Sequence, residues 1–287
     1  MEDFVHLHVH TNYSILDGQS KVTRLVDKAI ADGMKGMAIT DHGVMFGIKE
    51  FSDYCAKINK ERKAKGEEPF KPIFGCEMYV ARRSMHDKEK DKHDNSGYHL
   101  IVLAKNYNGY KNLIKLVSHA WVDGYYYKPR TDREELEKYH EDLIVCSACI
   151  AGEVPNKIIR GDIEGAREAC EWYHRVFGDD YYLELQRHEV KDPTLVANRE
   201  AYPLQQKANK MLMQFAKEYG IKLVCTNDCH FEDKETAEAH DHLLCLSTNE
   251  DLDDPKRMRY SKQEWFKTRQ EMNEVFSDVP EAMANTL

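Results

Sequence analysis

The chain has 287 residues and a formal net charge of −9, which argues against tight DNA binding by the chain alone, because that requires basic side chains to neutralise phosphates. No apolar run reaches membrane-span length, and the acidic start Met1-Glu2-Asp3 is unlike a secretory signal. Eight scattered cysteines fit a reduced compartment better than a disulfide scaffold, so we expect a cytoplasmic protein with no membrane partner.

Segments that favour strands alternate with segments that favour helices along most of the chain. Apolar runs predict seven strands, at residues 5–9, 37–40, 73–76, 100–104, 143–147, 182–186 and 223–226. Amphipathic stretches predict helices at residues 22–30, 48–60, 110–120, 163–177 and 204–219, with Ser20 as the cap of the first. The alternation is typical of an α/β fold with a mostly parallel sheet, and seven strands favour a barrel over an open sheet. After residue 246 the alternation stops, and residues 249–287 are predicted to be helical and charged.

Three histidines stand at alternate positions of the first predicted strand. His6, His8 and His10 therefore point to one face, and the apolar residues between them point to the other. Neutral imidazoles are good ligands for zinc, manganese or iron. Three later strands also stop at ligand-type residues, namely Thr40-Asp41-His42, Gly75-Cys76-Glu77 and Asn227-Asp228-Cys229-His230. The pattern predicts a metal site.

These motifs resemble the signature of the PHP (polymerase and histidinol phosphatase) family, in the branch found at the amino terminus of bacterial DNA polymerase III alpha subunits. The resemblance covers essentially the whole chain and includes positions that bear no ligand, in the segments 4–18, 38–42, 98–104, 109–113, 147–153, 182–186 and 226–230. It implies a distorted seven-stranded (β/α)7 barrel with a metal site at the carboxyl ends of the strands. We expect a phosphoesterase barrel over residues 1–246 and a helical extension over residues 247–287, cut from a longer polypeptide.

The resemblance implies three divalent ions, zinc or manganese with iron as a further candidate, held by nine side chains. The family's ligands correspond to His8, His10, Asp17, His42, Glu77, His99, Cys149, Asp228 and His230. By this resemblance Glu77 bridges two ions, one also held by His8, His10 and Asp228 and the other by His99 and Cys149, whereas Asp17, His42 and His230 hold the third. Many free-standing members have a histidine in place of Cys149, and the thiolate favours zinc. His99 differs from the other ligands because it opens its predicted strand instead of ending it.

Several further residues have more than one interpretation. His6 is expected to orient His8 or His10 from behind. Asp41 either reaches a water at the metal site or makes a hydrogen bond at its strand end. Arg187 and His188, just past a predicted strand, are candidate substrate-binding residues for a phosphate, and an ordinary surface pair is the alternative.

Two other sequence features are expected to lie outside the metal site. The run from Tyr125 to Arg130 interleaves aromatic and basic residues, as single-strand-binding surfaces do. A packed loop with exposed basic tips is the simpler interpretation. The histidines on polar segments, which include His119, His240 and His242, are expected to face solvent.

Hydrolysis of a phosphate ester is the chemistry that such a cluster supports best. Two ions can hold the phosphate oxygens and activate a water as nucleophile, so no separate nucleophilic side chain is needed. The leading hypothesis is a metal-dependent 3′–5′ exonuclease that proofreads the 3′ end of DNA. The parent protein would be a DNA-directed DNA polymerase with its polymerase site outside this chain. Its remaining domains, the DNA 3′ end and a separate proofreading subunit are the expected partners.

Two alternatives remain at this stage. One is a stand-alone phosphomonoesterase resembling histidinol phosphatase, which would hydrolyse small phosphate esters but not DNA. The other is a non-catalytic module, in which metal stabilises the barrel and its surface docks a proofreading subunit. Replacing His10 and Asp228 distinguishes the hypotheses, because only an enzyme would lose activity.

Overall fold

The computed structural model describes residues 2–190 and 197–287, and its centre is a curled sheet of seven strands. These are β1 (Gly36–Ile39), β2 (Lys71–Ala81), β3 (Gly97–Ala104), β4 (Arg130–Thr131), β5 (Leu143–Cys146), β6 (Tyr181–Leu185) and β7 (Lys222–Cys225). Their order is β1-β2-β3-β5-β6-β7, and β4 pairs with β2. The pairs β1-β2, β5-β6 and β6-β7 are parallel, whereas β3 runs antiparallel to both β2 and β5.

The histidine segment closes the sheet into a distorted barrel. Residues 6–10 lie between β1 and the segment after β7, with Thr40 N donating to Val9 O at 2.8 Å and His10 N donating to Cys229 O at 2.8 Å. This pairing forms an isolated bridge and no regular ladder. The predicted distorted barrel is confirmed, and six of the seven predicted strands form ladders. The sheet is less parallel than predicted because β3 is reversed.

The described residues form ten α-helices. They are α1 (Val22–Ala31), α2 (Ile48–Ala64), α3 (Tyr107–Val122), α4 (Arg133–Lys138), α5 (Glu153–Arg160), α6 (Ile163–Phe177), α7 (Ala197–Tyr219), α8 (Ala237–Thr248), α9 (Arg269–Val275) and α10 (Pro280–Ala284). All five predicted helices are present as α1, α2, α3, α6 and α7. Ser20 does not cap α1, because Lys21 occupies the cap position and no side chain makes a cap hydrogen bond. Residues 249–268 form no helix, so the prediction of a helical stretch is wrong there.

Alternation along the strands gives the barrel interior an apolar end and a polar end. In β3, Ile101 and Leu103 pack in an inner apolar cluster, and His99 occupies the preceding position on the same face. In β6, Tyr182 packs against that cluster, and Glu184, two residues on, is buried. The polar end of the barrel is therefore where chemistry can occur.

The carboxyl-terminal segment packs onto the barrel core. Phe266, Met272, Phe276 and Met283 are almost fully buried and belong to the same apolar cluster as the helices around the sheet. The division at residues 246 and 247 stays a prediction, but the two parts share one core. Within residues 2–190 and 197–287, no helix is long and apolar enough to cross a membrane.

We expect Phe276→Ala to destabilise the whole chain and not only its last residues. Phe276 is 1% exposed, and removing a buried phenyl ring typically costs about 3–5 kcal/mol in the free energy of unfolding. Urea denaturation followed by circular dichroism should show one transition at a lower midpoint. Leu252→Ala, at a position 44% exposed, is the control and should stay within about 0.5 kcal/mol. Two separate transitions would contradict a shared core.

Candidate metal centre

The polar end of the barrel gathers residues from strand ends that point the same way. His42 follows β1, Cys149 follows β5, and Asp228 follows β7, and all three strands belong to the parallel pairs. His99 stands near the amino end of β3, which is the reversed strand. Its position at the start of a strand therefore places it at the same rim as the carboxyl ends of the others.

Glu77 lies at the centre of the cluster. Its Oε1 is 3.2 Å from His8 Nε2 and 2.9 Å from His99 Nδ1. Its Oε2 is 3.9 Å from His10 Nε2 and contacts His42 Nδ1. Four imidazoles from three separate segments thus meet at one carboxylate that is 1% exposed. The strand carrying it is longer than predicted, since β2 continues past Glu77 to Ala81.

Asp228 and Cys149 join this cluster through different histidines. Asp228 Oδ1 is 3.0 Å from His8 Nε2 and 3.3 Å from His10 Nε2. Cys149 Sγ is 3.7 Å from His99 Nδ1. Both residues are therefore in direct contact with histidines that themselves contact Glu77.

Asp17 and His230 complete the cluster on its outer side. Asp17 Oδ2 is 2.6 Å from His42 Nε2 and 3.5 Å from His230 Nε2. His230 stacks on His10 with ring centroids 4.3 Å apart. The structure therefore brings all nine sequence-predicted ligands into one continuous cluster.

The donor atoms fit divalent cations. Eight of the nine side chains, all but Asp17, fall into three groups in which the donor atoms lie within 4.8 Å of one another, namely His8, His10 and Asp228, then Glu77, His99 and Cys149, then His10, His42 and His230. Four of the cluster's buried atoms, although some lie close to one another, make no hydrogen bond of acceptable geometry among the described residues, namely His8 Nε2, His10 Nε2, Asp17 Oδ1 and Asp228 Oδ1. Buried lone pairs without donors are costly, and cations placed among them would remove that cost.

In the chain without metal, burial and neighbouring charges shift the pKa values of the clustered side chains. Burial opposes ionisation of Glu77, but His99 and His42 outweigh it and hold the pKa of Glu77 well below its usual range. Burial also disfavours protonation of His42, yet Glu77 and Asp17 raise its pKa to about 10. Burial, reinforced by the neighbouring His42 and His230, lowers the pKa of His10 to about 3. Burial and the carboxylates of Asp228 and Glu77 raise the pKa of the Cys149 thiol well above its usual value, so a thiolate there requires a nearby cation.

The backbone adopts an uncommon conformation at or beside two of the ligands, Asp228 and Cys149. Asp228 has φ of 50° and Ala148, next to Cys149, has φ of 61°. Few residues other than glycine adopt this left-handed conformation, which often marks functional sites. After Asp17 the chain turns back so tightly that a Cβ on Gly18 would lie 2.0 Å from Thr11 O, so a glycine is required there.

Residues outside the predicted set orient the histidines. Glu184 Oε1 accepts a hydrogen bond from His8 Nδ1 at 2.7 Å, which leaves His8 Nε2 free for the cluster. Ser14 Oγ lies 2.9 Å from His10 Nδ1 and donates to Asp41 Oδ1 at 2.7 Å. Asp41 thus makes the hydrogen bonds predicted at its strand end, accepting from Thr11 N and Ser14 Oγ. A charged residue inside the apolar strand β6 was the sequence signal for Glu184.

His6 has a different role from the one predicted. Its Nε2 lies 2.8 Å from Lys267 O, and its Nδ1 lies 3.4 Å from Cys229 Sγ. The expectation that His6 orients His8 or His10 is wrong, because its ring is turned toward the carboxyl-terminal segment and packs on Phe266.

The carboxyl-terminal half contributes two side chains that sequence reasoning missed. Tyr260 Oη lies 3.2 Å from both Asp17 Oδ2 and His230 Nε2. His240 is 2% exposed and donates from Nε2 to Asp17 O at 2.9 Å, so the expectation that it faces solvent is wrong. The buried positions of α8 recur at helical spacing and include His240, which was a usable signal. Tyr260 lies in a segment without regular secondary structure, so no periodic pattern in the sequence indicated its role.

Arg187 and His188 make their side-chain contacts with residues other than the nine predicted ligands. Arg187 forms a bidentate ion pair with Asp278 and stacks over Phe276. His188 is 4% exposed and bonds to Gln205 and to the carbonyl of Asn227. Arg187 thus packs against the carboxyl-terminal segment, whereas His188 connects α7 with the segment after β7. The alternative of a surface pair is wrong for the buried His188, and the substrate-binding role of the two residues stays a prediction.

A cavity of about 490 Å³ opens onto the cluster. Asp17, His42 and His99 form its floor, and Tyr125 and Tyr127 stand among the residues around it. Arg130 does not provide the exposed basic tip considered from sequence. It is fully buried and donates to backbone carbonyls.

Comparison with known proteins gives a consistent set of relatives. A family model described as PHP domain matches residues 6–188. The DNA polymerase III subunit alpha of Borreliella burgdorferi is 41% identical over 285 residues, covering 99% of this chain and 23% of that protein. The same subunit of Treponema pallidum is 40% identical over 286 residues, with 99% and 23% covered. That of Thermus aquaticus is 38% identical over 283 residues, with 97% and 21% covered. The chain thus spans less than a quarter of the length of these relatives.

We expect Zn²⁺ or Mn²⁺ to raise the melting temperature of the chain, and Asp228→Asn to remove most of that rise. A ligand at about 100 times its Kd stabilises a protein by about 2.7 kcal/mol, or roughly 5–10 °C at this size. Differential scanning calorimetry with and without chelator measures the effect. His119→Asn, in a histidine–glutamate pair outside the cluster, is the control and should keep the full rise. Equal shifts in both variants would contradict metal binding by the cluster.

Proposed function

The chain belongs to the PHP domain family, whose model matches residues 6–188, and on this premise we propose that it is a metal-dependent phosphodiesterase domain. Its relatives are DNA polymerase III alpha subunits, so the proposed substrate is the 3′ end of DNA and the proposed reaction is 3′–5′ exonucleolytic hydrolysis. The convergence of nine ligand-type side chains beneath one open cavity is the observation that carries this proposal.

The nine clustered side chains are proposed to hold three divalent ions. Glu77, with contacts on both carboxylate oxygens, would help to hold two of the ions, one together with His8, His10 and Asp228 and the other together with His99 and Cys149. Asp17, His42 and His230 would hold the third. The single thiolate favours zinc, while the imidazole and carboxylate set also accepts manganese or iron.

Bound divalent ions would supply Lewis acidity toward phosphoryl oxygens and would lower the pKa of a water to near neutrality. The side chains of the protein itself hold the ligands in position. Glu184 and Ser14 fix the ring orientations of His8 and His10. Fixing ligands in this way typically contributes 10- to 100-fold to metal affinity or activity.

The outer side of the cluster is where the substrate would enter. Asp17, His42 and His99 are partly exposed to the cavity, whereas His8 and His10 are fully buried beneath them. A phosphodiester would therefore approach from the cavity. The Tyr260 hydroxyl donates to Asp17 Oδ2 at 3.2 Å and would so hold this proposed ligand in position.

The parent protein is proposed to be a cytoplasmic DNA-directed DNA polymerase. This chain aligns with less than a quarter of its relatives' length, and the polymerase site is proposed to lie in the rest of such a polypeptide. The remaining domains and a separate proofreading subunit are its proposed partners.

We expect His10→Asn and Asp228→Asn to reduce nucleotide release from a labelled single-stranded DNA 3′ end by at least about 100-fold, since even residues that only orient metal ligands contribute about 10- to 100-fold. Chelation of the wild type should have the same effect, and added Zn²⁺ or Mn²⁺ should reverse it. His119→Asn is the matched control, because it removes an imidazole outside the cluster.

Three other results would redirect the proposal. Rapid hydrolysis of p-nitrophenyl phosphate without any action on DNA would indicate a phosphomonoesterase. A wild-type chain that binds metal and releases nothing from either substrate would indicate a structural role for the ions. Activity retained in both cluster variants would show that hydrolysis occurs elsewhere.

A further inference from the structure

Exposed aromatic side chains are concentrated at one place on this protein. Among the described residues, the exposed aromatic side chains are those of Phe46, Tyr107, Trp121, Tyr125 and Tyr127. All of them except Tyr107 line the cavity above the ligand cluster. Contiguous exposed apolar surface on a soluble protein usually marks a binding site.

The Trp121 and Tyr125 rings are held in place by a hydrogen bond and by stacking. Trp121 Nε1 donates to Gly43 O at 2.8 Å, and the Trp121 ring stacks on Tyr125 with centroids 5.5 Å apart and planes 19° apart. Gly43 has φ of 62°, and a Cβ there would lie 2.7 Å from Pro129 Cγ. The loop at Gly43 is therefore packed closely against the segment at Pro129, and the rings of Trp121 and Tyr125 are fixed in position.

Tyr79 lines the same cavity as the exposed aromatic residues and contacts the ligand cluster. The Tyr79 ring stacks on His42 with centroids 6.3 Å apart and meets His99 edge-on at 5.3 Å. Lys128 Nζ lies 5.4 Å from the centre of the Tyr79 ring. Lys128 therefore places a positive charge at the cavity, where it can pair with a phosphate. The chain as a whole is acidic.

We propose that Phe46, Trp121, Tyr125 and Tyr127 form a stacking platform for the unpaired terminal bases of single-stranded DNA, with Lys128 pairing with the adjacent phosphate. Aromatic rings beside a basic side chain are the usual means of holding single strands without sequence preference. Bases inside a duplex already stack on their neighbours and offer no free face, so the platform selects frayed or mismatched 3′ ends over paired ones. The inference rests on the proposed function and assigns the strand preference of that same site.

The test is equilibrium binding of fluorescent oligothymidylate to the chain, with phosphorothioate linkages at the 3′ end to prevent hydrolysis and Mn²⁺ present. A strand of equal length without bases is the matched ligand. We expect Tyr125→Ala and Tyr127→Ala each to raise Kd for oligothymidylate by about 5- to 100-fold, the range for loss of one stacked base. The Kd of the baseless strand should change far less. Tyr125→Phe keeps the ring and should bind like the wild type.

Tyr107→Ala is the matched protein control, since Tyr107 is 74% exposed and lies outside this cavity. It should bind oligothymidylate with unchanged Kd. Equal affinity of the wild type for the two strands, or equal effects of Tyr125→Ala and Tyr107→Ala, would overturn the stacking platform. Base-dependent binding without nucleotide release from a cleavable strand would instead overturn the proposed hydrolysis and keep the platform.

Discussion

A carboxylate shielded from water must be matched by positive charge or by hydrogen-bond donors, and Glu77 imposes that requirement on the whole barrel. Its two oxygens are approached by four imidazoles. Those rings belong to segments far apart in the sequence, so the strands must converge for the requirement to be met. Closure of the barrel and assembly of the cluster therefore depend on each other, because the packing that closes the barrel also surrounds the Glu77 carboxylate.

The reversal of β3 illustrates this coupling. In an all-parallel barrel a histidine at the start of a strand would lie at the opposite end from the others. Here β3 is antiparallel to both neighbours, and its first residues reach the polar rim. His99 is then a diagonal neighbour of Glu77 across the β2-β3 ladder, within hydrogen-bond distance. The reversed direction of β3 therefore brings His99 to the rim that carries the other ligands.

Sequence reasoning succeeded where the signal was local. The helix at residues 163–177 and the ligand-bearing strand ends follow from periodicity and from residue types at fixed positions. It failed where a residue acts through distant contacts. The partner of His6 lies at Lys267 and that of His8 at Glu184, and no spacing rule relates those positions. Likewise the reversal of β3 depends on how strands pair, and a strand's own residues do not encode its direction.

The contact of Tyr260 and His240 with Asp17 links two distant parts of the chain. Asp17 lies in the loop after the histidine segment, whereas Tyr260 lies in the irregular stretch between α8 and α9. Coupling of this kind is reciprocal by thermodynamic necessity. The arrangement of the Asp17 loop therefore favours the docked arrangement of residues 249–268 by the same free energy by which that docked arrangement favours the loop, so a change at the ligand-bearing rim and a change in residues 249–268 affect each other equally.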